Sequence, residues 1–388
     1  MKIKYACLNP IASCGLANLT SDYERTEDPA EADAIFVRSA KMEELAVSPR
    51  WLAVARAGAG VNNIPHADYA KKGIVVFNTP GANANGVKEL VIAAMLLASR
   101  DLIGGVKWVE ANASDPLIAK SAEKAKKAFA GTEIAGKRLG VVGLGAIGRK
   151  VANAALALGL EVLGYDPLLS SVAAKELDGA VKRTADLDEI YRSCDIITIH
   201  VPALDSTKGM VSATAFEKMK DGVIIINAAR DVLVNEDDLL VAIEKGKVRT
   251  YVSDFPNATT AGRPGCIVIP HLGASTEESE DNCAVMAAKE IRDFIENGNI
   301  VNSVNYPACT LGSKPKSGRL AVCYLANEGL AEMVVSVLGR AGIKVVAQAS
   351  ATRGAVGYAL IDADAAIPQE VIEQVKAIDS VVRVRQIG

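Results

Sequence analysis

The chain has 388 residues, of which half are apolar and 23% are charged, and its net charge is −3 with three histidines. This balance is typical of a globular protein of two or three domains, and it excludes a strongly basic surface for nucleic acid. The longest apolar run, Leu90 to Ala98, is about half of what a membrane-spanning helix needs, so we expect no membrane partner.

The seven cysteines are scattered along the chain and include no C-x-x-C pair. This pattern indicates a reducing, cytoplasmic environment and argues against a disulfide framework or a zinc site. With three histidines, a histidine-based metal site is not expected either. The N-terminal stretch from Met1 to Cys7 predicts a first strand and not a signal peptide.

Residues 1 to about 90 alternate short predicted strands and helices, which favours a parallel sheet covered on both faces. The predicted strands are Ile3–Leu8, Ala34–Val37, Leu52–Arg56 and Ile74–Phe77, and the predicted helices lie around Met42–Ala46 and Pro65–Lys71.

Polar residues follow the ends of these strands, where open parallel sheets bind their ligands. Taken singly, each arginine among them is better explained as a solvated loop charge. Taken together, they predict a site for one small anion, at which backbone N–H groups also contribute. The predicted members of this site are Arg38, Ser39, Arg56, Gly58, Ala59, Gly60 and Asn83.

A long apolar helix is predicted from Gly86 to Arg100, followed by a polar, lysine-rich helical segment from Asp101 to Ala130. Trp108 lies in the first part of that segment. The tryptophan either anchors a contact between subunits or packs on its own domain, and both interpretations stay open.

The most informative stretch runs from Lys137 to Ala152 and predicts a strand, a tight turn and a helix. Gly143 permits the turn, Gly145 lets the backbone approach a pyrophosphate, and Gly148 lets the helix and strand pack closely. The free N–H groups at the helix start, at Ala146 and Ile147, then face the phosphate charge together with the helix dipole.

Asp166 ends the next predicted strand, 18 residues after Gly148. A carboxylate at this position would accept hydrogen bonds from both ribose hydroxyls of NAD and would repel a 2′-phosphate. No arginine follows it, so the sequence predicts NAD over NADP. The alternative is an ordinary strand–helix–strand turn with an aspartate on the surface.

The same pattern continues to about residue 275, with predicted strands Ile196–His200, Val223–Asn227, Val248–Ser253 and Ile267–Ile269. Asn235 predicts the start of a helix, and Ser275 to Glu278 predict the cap of a final helix that ends near Asn297.

After a linker over residues 299–317, the last 70 residues follow the order βαββαβ of a ferredoxin-like unit. This predicted separate unit holds no histidine and no catalytic cluster, which favours a regulatory or assembly role.

Hydride transfer from an alcohol to NAD needs a base, a cation for the substrate carboxylate and a group that orients the nicotinamide. His66 has the context of a helix surface, and His200 ends a strand on the adenosine side of the cofactor. His271, where a strand end meets a helix start, is the predicted base. Arg230 is the predicted carboxylate clamp, because a guanidinium binds a carboxylate bidentately, and Asp254 is predicted at the nicotinamide carboxamide.

Over essentially its whole length, the chain resembles the D-isomer-specific 2-hydroxyacid dehydrogenases that carry a C-terminal ACT domain. The resemblance implies that Arg230 binds the substrate carboxylate, that His271 is the acid/base, and that the residues of the anion site contact substrate. The motifs that carry the resemblance are Arg56–Val61, Asn78–Gly81, Gly143–Gly148, Asn227–Arg230 and Pro270–Thr276. Beside the glycine turn and Asp166, it puts the following residues at the cofactor: His200, Pro202, Ala228, Asp254, Gly273 and Ala274.

The resemblance also implies the domain organisation. We expect an α/β fold with two Rossmann-like, doubly wound parallel-sheet domains and a ferredoxin-like ACT domain. The substrate-binding domain is discontinuous over residues 1–93 and 276–305, the NAD-binding domain covers residues 94–275, and the ACT domain covers residues 318–388. The cleft between the first two domains is expected to close on substrate.

The activity that the resemblance implies is NAD-dependent oxidation of D-3-phosphoglycerate to 3-phosphohydroxypyruvate, the first step of L-serine biosynthesis. Arg38 and Arg56, beyond Arg230, favour such a phosphorylated 2-hydroxy acid. The alternatives are a dehydrogenase for a non-phosphorylated D-2-hydroxy acid and an NAD(H)-sensing binding protein of this fold. A homodimer or homotetramer is expected.

Three positions depart from the family pattern. The family usually pairs its histidine with a glutamate shortly after the Asp254 position, but no acid lies between Asp254 and His271. We therefore predict a weaker acidic partner for His271, or one from elsewhere in the chain. Lys88 replaces a small residue and is either a cation near the cleft or a surface charge. Asn327 matches the ACT-loop asparagine and Lys344 replaces a second asparagine. The ACT unit therefore binds serine, binds another ligand or serves assembly alone.

Overall fold

The computed structural model describes residues 2–325 and 329–387. The chain divides into two compact units. Unit 1 contains residues 1–83 and 277–388, and unit 2 contains residues 84–276. The first unit is therefore discontinuous in sequence, and its first segment ends ten residues before the predicted domain boundary at residue 93.

The strands of the described residues fall into three sheets. In chain order they are β1 (Ile3–Cys7), β2 (Tyr23–Arg25), β3 (Ala34–Val37), β4 (Ala53–Arg56), β5 (Val75–Phe77), β6 (Arg138–Val142), β7 (Glu161–Tyr165), β8 (Lys182–Thr184), β9 (Ile196–Ile199), β10 (Val223–Asn227), β11 (Val248–Ser253), β12 (Cys266–Val268), β13 (Arg319–Leu325), β14 (Val345–Arg353), β15 (Val356–Ala363) and β16 (Val381–Ile387).

The α-helices connect these strands and cover the sheets. They are α1 (Ser13–Leu16), α2 (His66–Ala70), α3 (Ala84–Ser99), α4 (Leu102–Ala111), α5 (Ile118–Ala125), α6 (Ala146–Ala157), α7 (Ser171–Ala174), α8 (Leu187–Ser193), α9 (Ala213–Lys218), α10 (Glu236–Glu244), α11 (Glu277–Asn297), α12 (Leu330–Arg340) and α13 (Gln369–Lys376). Within the described ranges, no helix is both long and apolar enough to cross a membrane.

Unit 2 is built on a parallel seven-stranded sheet in the order β12-β11-β10-β9-β6-β7-β8. Apolar residues of α3 and α6 cover one face, and apolar residues of α8, α9 and α10 cover the other. In chain order, β6 lies in the middle of the sheet, β7 and β8 extend it on one side, and β9 to β12 extend it on the other. Ligands bind such sheets at the carboxyl ends of the two strands where the order reverses. This point lies between β6 and β9.

Unit 1 contains a parallel five-stranded sheet in the order β2-β1-β3-β4-β5, and its order reverses between β1 and β3. Ile291 and Phe294 of α11 pack in the core on one face, and Trp51 and Tyr69 pack in the core on the other. The residues that follow β1 and β3 therefore lie at the position where a doubly wound sheet binds its ligand.

The C-terminal part of unit 1 is an antiparallel sheet in the order β14-β15-β13-β16, with α12 and α13 over one face. This is the predicted ferredoxin-like arrangement. Together with the two doubly wound sheets, it confirms the predicted fold class.

The other face of the antiparallel sheet packs against the end of α11. The Arg385 guanidinium lies 4.5 Å from the centre of the Phe294 ring and donates hydrogen bonds to the carbonyls of Phe294 and Ile295. Arg319 donates to the carbonyl of Asn297 at 2.7 Å. These arginines satisfy carbonyls that a helix end otherwise leaves unpaired. The last 70 residues thus belong to the same compact unit as the first sheet, whereas the sequence predicts a separate unit.

The predicted helix around Met42–Ala46 is wrong, because this segment is a turn. The Met42 amide donates to the carbonyl of Asn63, and the Asn63 side chain donates to the carbonyl of Ala40. These contacts with a later loop replace the hydrogen bonds that a helix would make within itself.

Glu290 on α11 is 9% exposed, and its Oε1 accepts a hydrogen bond from Asn302 at 2.6 Å. Burial raises the pKa of Glu290 from 4.5 to about 7, and the Asn302 hydrogen bond only partly opposes this. The folded protein therefore holds a proton that the unfolded chain releases near pH 4.5. The stabilisation is complete below about pH 4.5 and is lost as the pH rises to about 7.

We expect the Glu290→Gln variant to lack this pH dependence and to be more stable than the wild type at pH 8, by up to about 3 kcal/mol. Urea unfolding at pH 5 and pH 8 measures the difference. Glu278→Gln, an exposed position on the same helix, is the control. An unchanged pH dependence in Glu290→Gln would contradict this account of the buried carboxyl.

Candidate active site

The glycine turn of unit 2 has the shape that a dinucleotide needs. Gly143 has φ +93°, and a Cβ there would lie 2.7 Å from the carbonyl oxygen of His200. A Cβ at Gly148 would lie 1.9 Å from the carbonyl oxygen of Gly143, so α6 packs directly on the turn. A Cβ at Gly145 would meet no atom within 4 Å among the described residues. Neighbouring atoms thus leave no room for a side chain at Gly143 or Gly148, whereas the space beside Gly145 is free. That space lies next to the N–H groups of Ala146 and Ile147.

Asp166 joins the end of β7 to this turn. Its Oδ2 accepts a hydrogen bond from the Leu144 amide at 2.9 Å, and its Oδ1 accepts one from the Leu168 amide at 2.9 Å. Each carboxylate oxygen can accept more than one hydrogen bond, so acceptor capacity remains for ribose hydroxyls. The open cradle at Gly145 and the carboxylate beside it fit NAD.

We expect Gly148→Ala to weaken NADH binding about 10- to 100-fold, because the added methyl group forces the turn and α6 apart. Fluorescence titration of NADH measures the effect without turnover. Gly179→Ala is the control, because a Cβ there meets nothing within 4 Å in the described structure. Equal NADH affinity in both variants would show that the tight packing at Gly148 does not shape the cradle.

His200 follows β9, at the reversal point of the sheet. Its Nε2 lies 2.9 Å from Oγ1 of Thr198, and burial lowers the pKa of His200 to about 4. The imidazole is therefore neutral near pH 7 and is not a base that titrates in the working range. Pro202 follows in the same loop, where its carbonyl accepts a hydrogen bond from Thr207 at 2.6 Å.

Arg230 lies in the loop after β10, which a buried amide holds in place. Oδ1 of Asn227 accepts hydrogen bonds from the amides of Ala229 and Arg230, and its Nδ2 donates to the Arg230 carbonyl at 2.8 Å. Asn227 is fully buried, so the loop that includes Ala228 has a fixed anchor. The Arg230 guanidinium donates to the Ala229 carbonyl and lies 5.6 Å from the centre of the Phe255 ring.

Asp254 holds the loop that carries His271. It is 3% exposed, and its two carboxylate oxygens accept hydrogen bonds from the amides of Leu272 at 2.7 Å and Gly273 at 2.8 Å. Burial raises the pKa of the Asp254 carboxyl, and the two amides and the nearby His271 oppose that shift. Both oxygens of Asp254 thus bind the loop after β12, which continues to Ala274.

His271 has φ +56° and is the one non-glycine residue with positive φ in the described ranges. Such a conformation costs about 1–3 kcal/mol and is common at functional sites. Its imidazole stacks at a tilt on Phe255, with ring centres 4.8 Å apart and planes at 48°. Within the described residues of unit 2, no carboxylate makes a hydrogen bond or ion pair with this imidazole. An aromatic ring therefore occupies one side of the predicted base.

In unit 1, the residues after β1 and β3 come together. Oδ1 of Asn9 accepts hydrogen bonds from the amides of Arg38, Ser39 and Ala40, at 2.9 to 3.0 Å. Nε of Arg56 donates to the Arg38 carbonyl at 3.1 Å. The structure thus brings Arg38, Ser39 and Arg56 to the reversal point of the sheet.

Glu280 of α11 forms an ion pair with Arg38 at 2.5 Å. An anion at this site would share the guanidinium with that carboxylate. Neither Glu280 nor Asn9 was predicted from the sequence. Asn9 could have been found, because it is a polar residue at the carboxyl end of a strand. Glu280 could not, because its place beside Arg38 depends on the long-range packing of α11.

The glycine loop after β4 lies against Arg56. A Cβ at Gly58 would lie 2.3 Å from Nη1 of Arg56, and the Gly58 amide already donates to the Arg56 carbonyl. The carbonyl of Ala59 accepts a hydrogen bond from Asn78 at 2.5 Å. Gly60 continues this loop, and Asn83 follows the turn after β5. The Gly58 amide is thus engaged within its own loop, and its contact with an anion stays a prediction.

Three further positions were singled out from the sequence. Lys88 is half-buried on α3 and pairs with Glu89 at 3.4 Å. Lys344 is exposed just before β14, where its amide donates to Asp364. Asn327 lies outside the described residues. No cluster of histidine, cysteine and acidic side chains suited to a metal ion occurs in the ranges that the structure covers.

Comparisons with known proteins agree with this geometry. Residues 92–273 match the family described as D-isomer specific 2-hydroxyacid dehydrogenase, NAD binding domain. D-3-phosphoglycerate dehydrogenase of Archaeoglobus fulgidus is 36% identical over 286 residues, which cover 71% of this chain and 52% of the relative. The Haemophilus influenzae enzyme of the same name is 29% identical over 354 residues, which cover 88% of this chain and 83% of the relative. The chain spans about half the length of the Archaeoglobus relative.

Among solved structures, the NAD⁺-bound 3-phosphoglycerate dehydrogenase of Entamoeba histolytica is similar, with a TM-score of 0.62 and 25% identity. The match covers 79% of this chain and 99% of that one. The glycine turn, Asp166 and the doubly wound sheet define a protein with an NAD-binding domain. More narrowly, residues 92–273 match the NAD-binding domain of the D-isomer-specific 2-hydroxyacid dehydrogenases.

Proposed function

We propose that this protein catalyses the NAD-dependent oxidation of D-3-phosphoglycerate to 3-phosphohydroxypyruvate, the first step of L-serine biosynthesis. The observation that carries the proposal lies in unit 2, where the loops after β10 and β12 bring Arg230 and His271 against the same ring of Phe255. A carboxylate-binding cation and a proton acceptor are the two groups that oxidation of a 2-hydroxy acid requires from the protein.

In this reaction, Arg230 binds the substrate carboxylate through two parallel N–H donors and so fixes the orientation of the 2-hydroxyl group. His271 accepts the hydroxyl proton as the C2 hydrogen leaves as hydride. NAD, held at the glycine turn and Asp166, supplies the hydride acceptor. His200 stays neutral, because burial lowers its pKa to about 4, so it does not compete for the proton.

We propose that Arg38 and Arg56 in unit 1 bind the phosphate group. The Arg56 guanidinium donates to the Arg38 backbone carbonyl, so two arginines come from the adjacent ends of β3 and β4. Two cationic side chains suit a dianion better than an uncharged hydroxymethyl group. Binding would draw Arg38 from Glu280, with which it pairs in the described structure. We expect Arg38→Gln to reduce the preference for D-3-phosphoglycerate over D-glycerate by about 10- to 100-fold, since a charge-assisted contact is lost.

The test is NADH formation with D-3-phosphoglycerate, D-glycerate and D-lactate as separate substrates. Turnover with the phosphorylated acid alone would support the proposal. Turnover with an unphosphorylated acid would keep the roles of Arg230 and His271 and overturn the role of Arg38.

A second candidate function is an NAD(H)-sensing binding protein. The observation that favours it is the aromatic ring beside His271, where the family usually has a glutamate. NADH binding without turnover of any of these acids would support this alternative.

For partners, we propose self-association through α4. Leu102, Ile103, Val106 and Val109 recur on this helix at helical spacing and are 38 to 57% exposed. A homodimer would cover this apolar face. An amino-acid effector such as serine at the C-terminal sheet is proposed from the family resemblance alone, and serine inhibition assays test it.

A further inference from the structure

The loop after β11 contributes two consecutive residues to the surroundings of His271. Asp254 accepts hydrogen bonds from the amides of Leu272 and Gly273, which directly follow His271. These bonds fix the backbone next to the histidine. Phe255 places its ring 4.8 Å from the imidazole. The Phe255 amide in turn donates to Oγ of Ser253 at 3.2 Å, so the start of the loop is itself held.

The same ring also contacts the predicted carboxylate clamp. The Arg230 guanidinium carbon lies 5.6 Å from the ring centre, within the range of a cation–π interaction. Arg230 and His271 come from loops after different strands, β10 and β12. The Phe255 ring, from the loop after β11 between them, is the side chain that touches both.

We propose that Phe255 is a positioning residue that orients the side chains of Arg230 and His271 relative to each other, in place of a carboxylate partner for the histidine. This inference rests on the proposed function for its kinetic consequences, but the contact itself does not. A phenyl ring accepts no ordinary hydrogen bond from the imidazole and carries no charge. It therefore fixes the plane of the imidazole without stabilising the protonated form as a glutamate would.

Three variants distinguish an effect of the Phe255 ring on the orientation of Arg230 and His271 from an effect of charge beside His271. Phe255→Leu removes the ring but keeps an apolar side chain, Phe255→Tyr keeps the ring, and Phe255→Glu adds a carboxylate beside His271. We expect Phe255→Leu to raise KM for the hydroxy acid about two- to fivefold and to lower kcat about tenfold. Phe255→Tyr should restore both values. Phe129→Leu, on a short helical turn outside these loops, is the control for loss of a phenyl ring.

The protein has three histidines, so its imidazole NMR signals can be assigned with single His→Gln variants. We expect the His271 signal to shift in Phe255→Leu, because the ring current of the neighbouring phenyl group is lost. In Phe255→Glu, the titration of the His271 signal should move to higher pH by about one unit relative to the wild type. His66 serves as the internal reference.

This measurement needs no turnover, so it remains decisive if the protein is not a dehydrogenase. Unchanged His271 signals in Phe255→Leu and an unchanged titration in Phe255→Glu would overturn the inference. Wild-type KM and kcat in Phe255→Leu would overturn its catalytic consequence. If Phe255→Leu fails to bind NADH, the comparison of Phe255→Tyr with Phe255→Glu gives the same test.

Discussion

Replacement of His271 by glutamine is expected to lower kcat for hydroxy-acid oxidation by about 10²- to 10⁴-fold, the usual contribution of a general base. The neutral amide keeps a polar side chain of similar reach but accepts no proton at working pH. His200 cannot replace His271 as the base, because its ring is hydrogen-bonded to Thr198 and burial lowers its pKa to about 4. Steady-state NADH formation with the His271→Gln variant measures the loss.

NADH affinity should stay at the wild-type value, because the cradle at Gly145 and Asp166 lies at the ends of other strands. His66→Gln is the matched control, since the backbone carbonyl and amide of His66 in α2 make the hydrogen bonds found for this residue in the described structure. A rate in His271→Gln close to that of the wild type would remove His271 as the base.

Replacement of Arg230 by glutamine is expected to lower kcat/KM by about 10²- to 10⁴-fold, since two charge-assisted hydrogen bonds to the substrate carboxylate are lost. Arg230→Lys should recover only part of the loss, because an ammonium group keeps the charge but not the bidentate geometry. Kinetics with the same hydroxy acid at saturating NAD measure both variants.

Arg192→Gln is the control for loss of a guanidinium in unit 2, because Arg192 makes a surface ion pair with Asp186. If Arg230→Gln alters only thermal stability and leaves kcat/KM unchanged, the arginine has a structural role in the loop after β10 and does not bind the substrate.

The local structure of unit 2 could be predicted because short-range rules determine it. The glycine spacing around Gly143 predicts the strand, turn and helix that form β6 and α6. Asn235 predicts a helix start, and its side chain indeed accepts the Asp238 amide at 3.2 Å. In both cases, the residues that decide the conformation are neighbours in the sequence.

The parts that could not be predicted depend on contacts between distant segments. The Met42 segment forms a turn because Asn63 holds it, although its composition favours a helix. The C-terminal sheet packs on α11 because Arg385 and Arg319 satisfy the carbonyls of its last turn. No local sequence pattern in β13 or β16 indicates that these arginines bind the end of α11.

The same distinction holds for the candidate site. Arg230, His271 and Asp166 follow strand ends, so they could be identified as candidates from the order of strands and helices. Their functional roles remain predictions. A role for Phe255 was not predicted, because the resemblance leads one to look for a glutamate in this stretch and not for an aromatic residue. Its importance becomes visible only once the ring is found against both other side chains.

We propose that the C2 hydrogen of D-3-phosphoglycerate passes directly to NAD in a reaction that uses Arg230 and His271. The most direct test is incubation of the protein with NAD and D-3-phosphoglycerate deuterated at C2, followed by mass spectrometry of the NADH. We predict that the NADH carries the deuterium and that the His271→Gln variant forms almost none of it. Unlabelled NADH, or NADH binding without any transfer from this acid, would contradict the account.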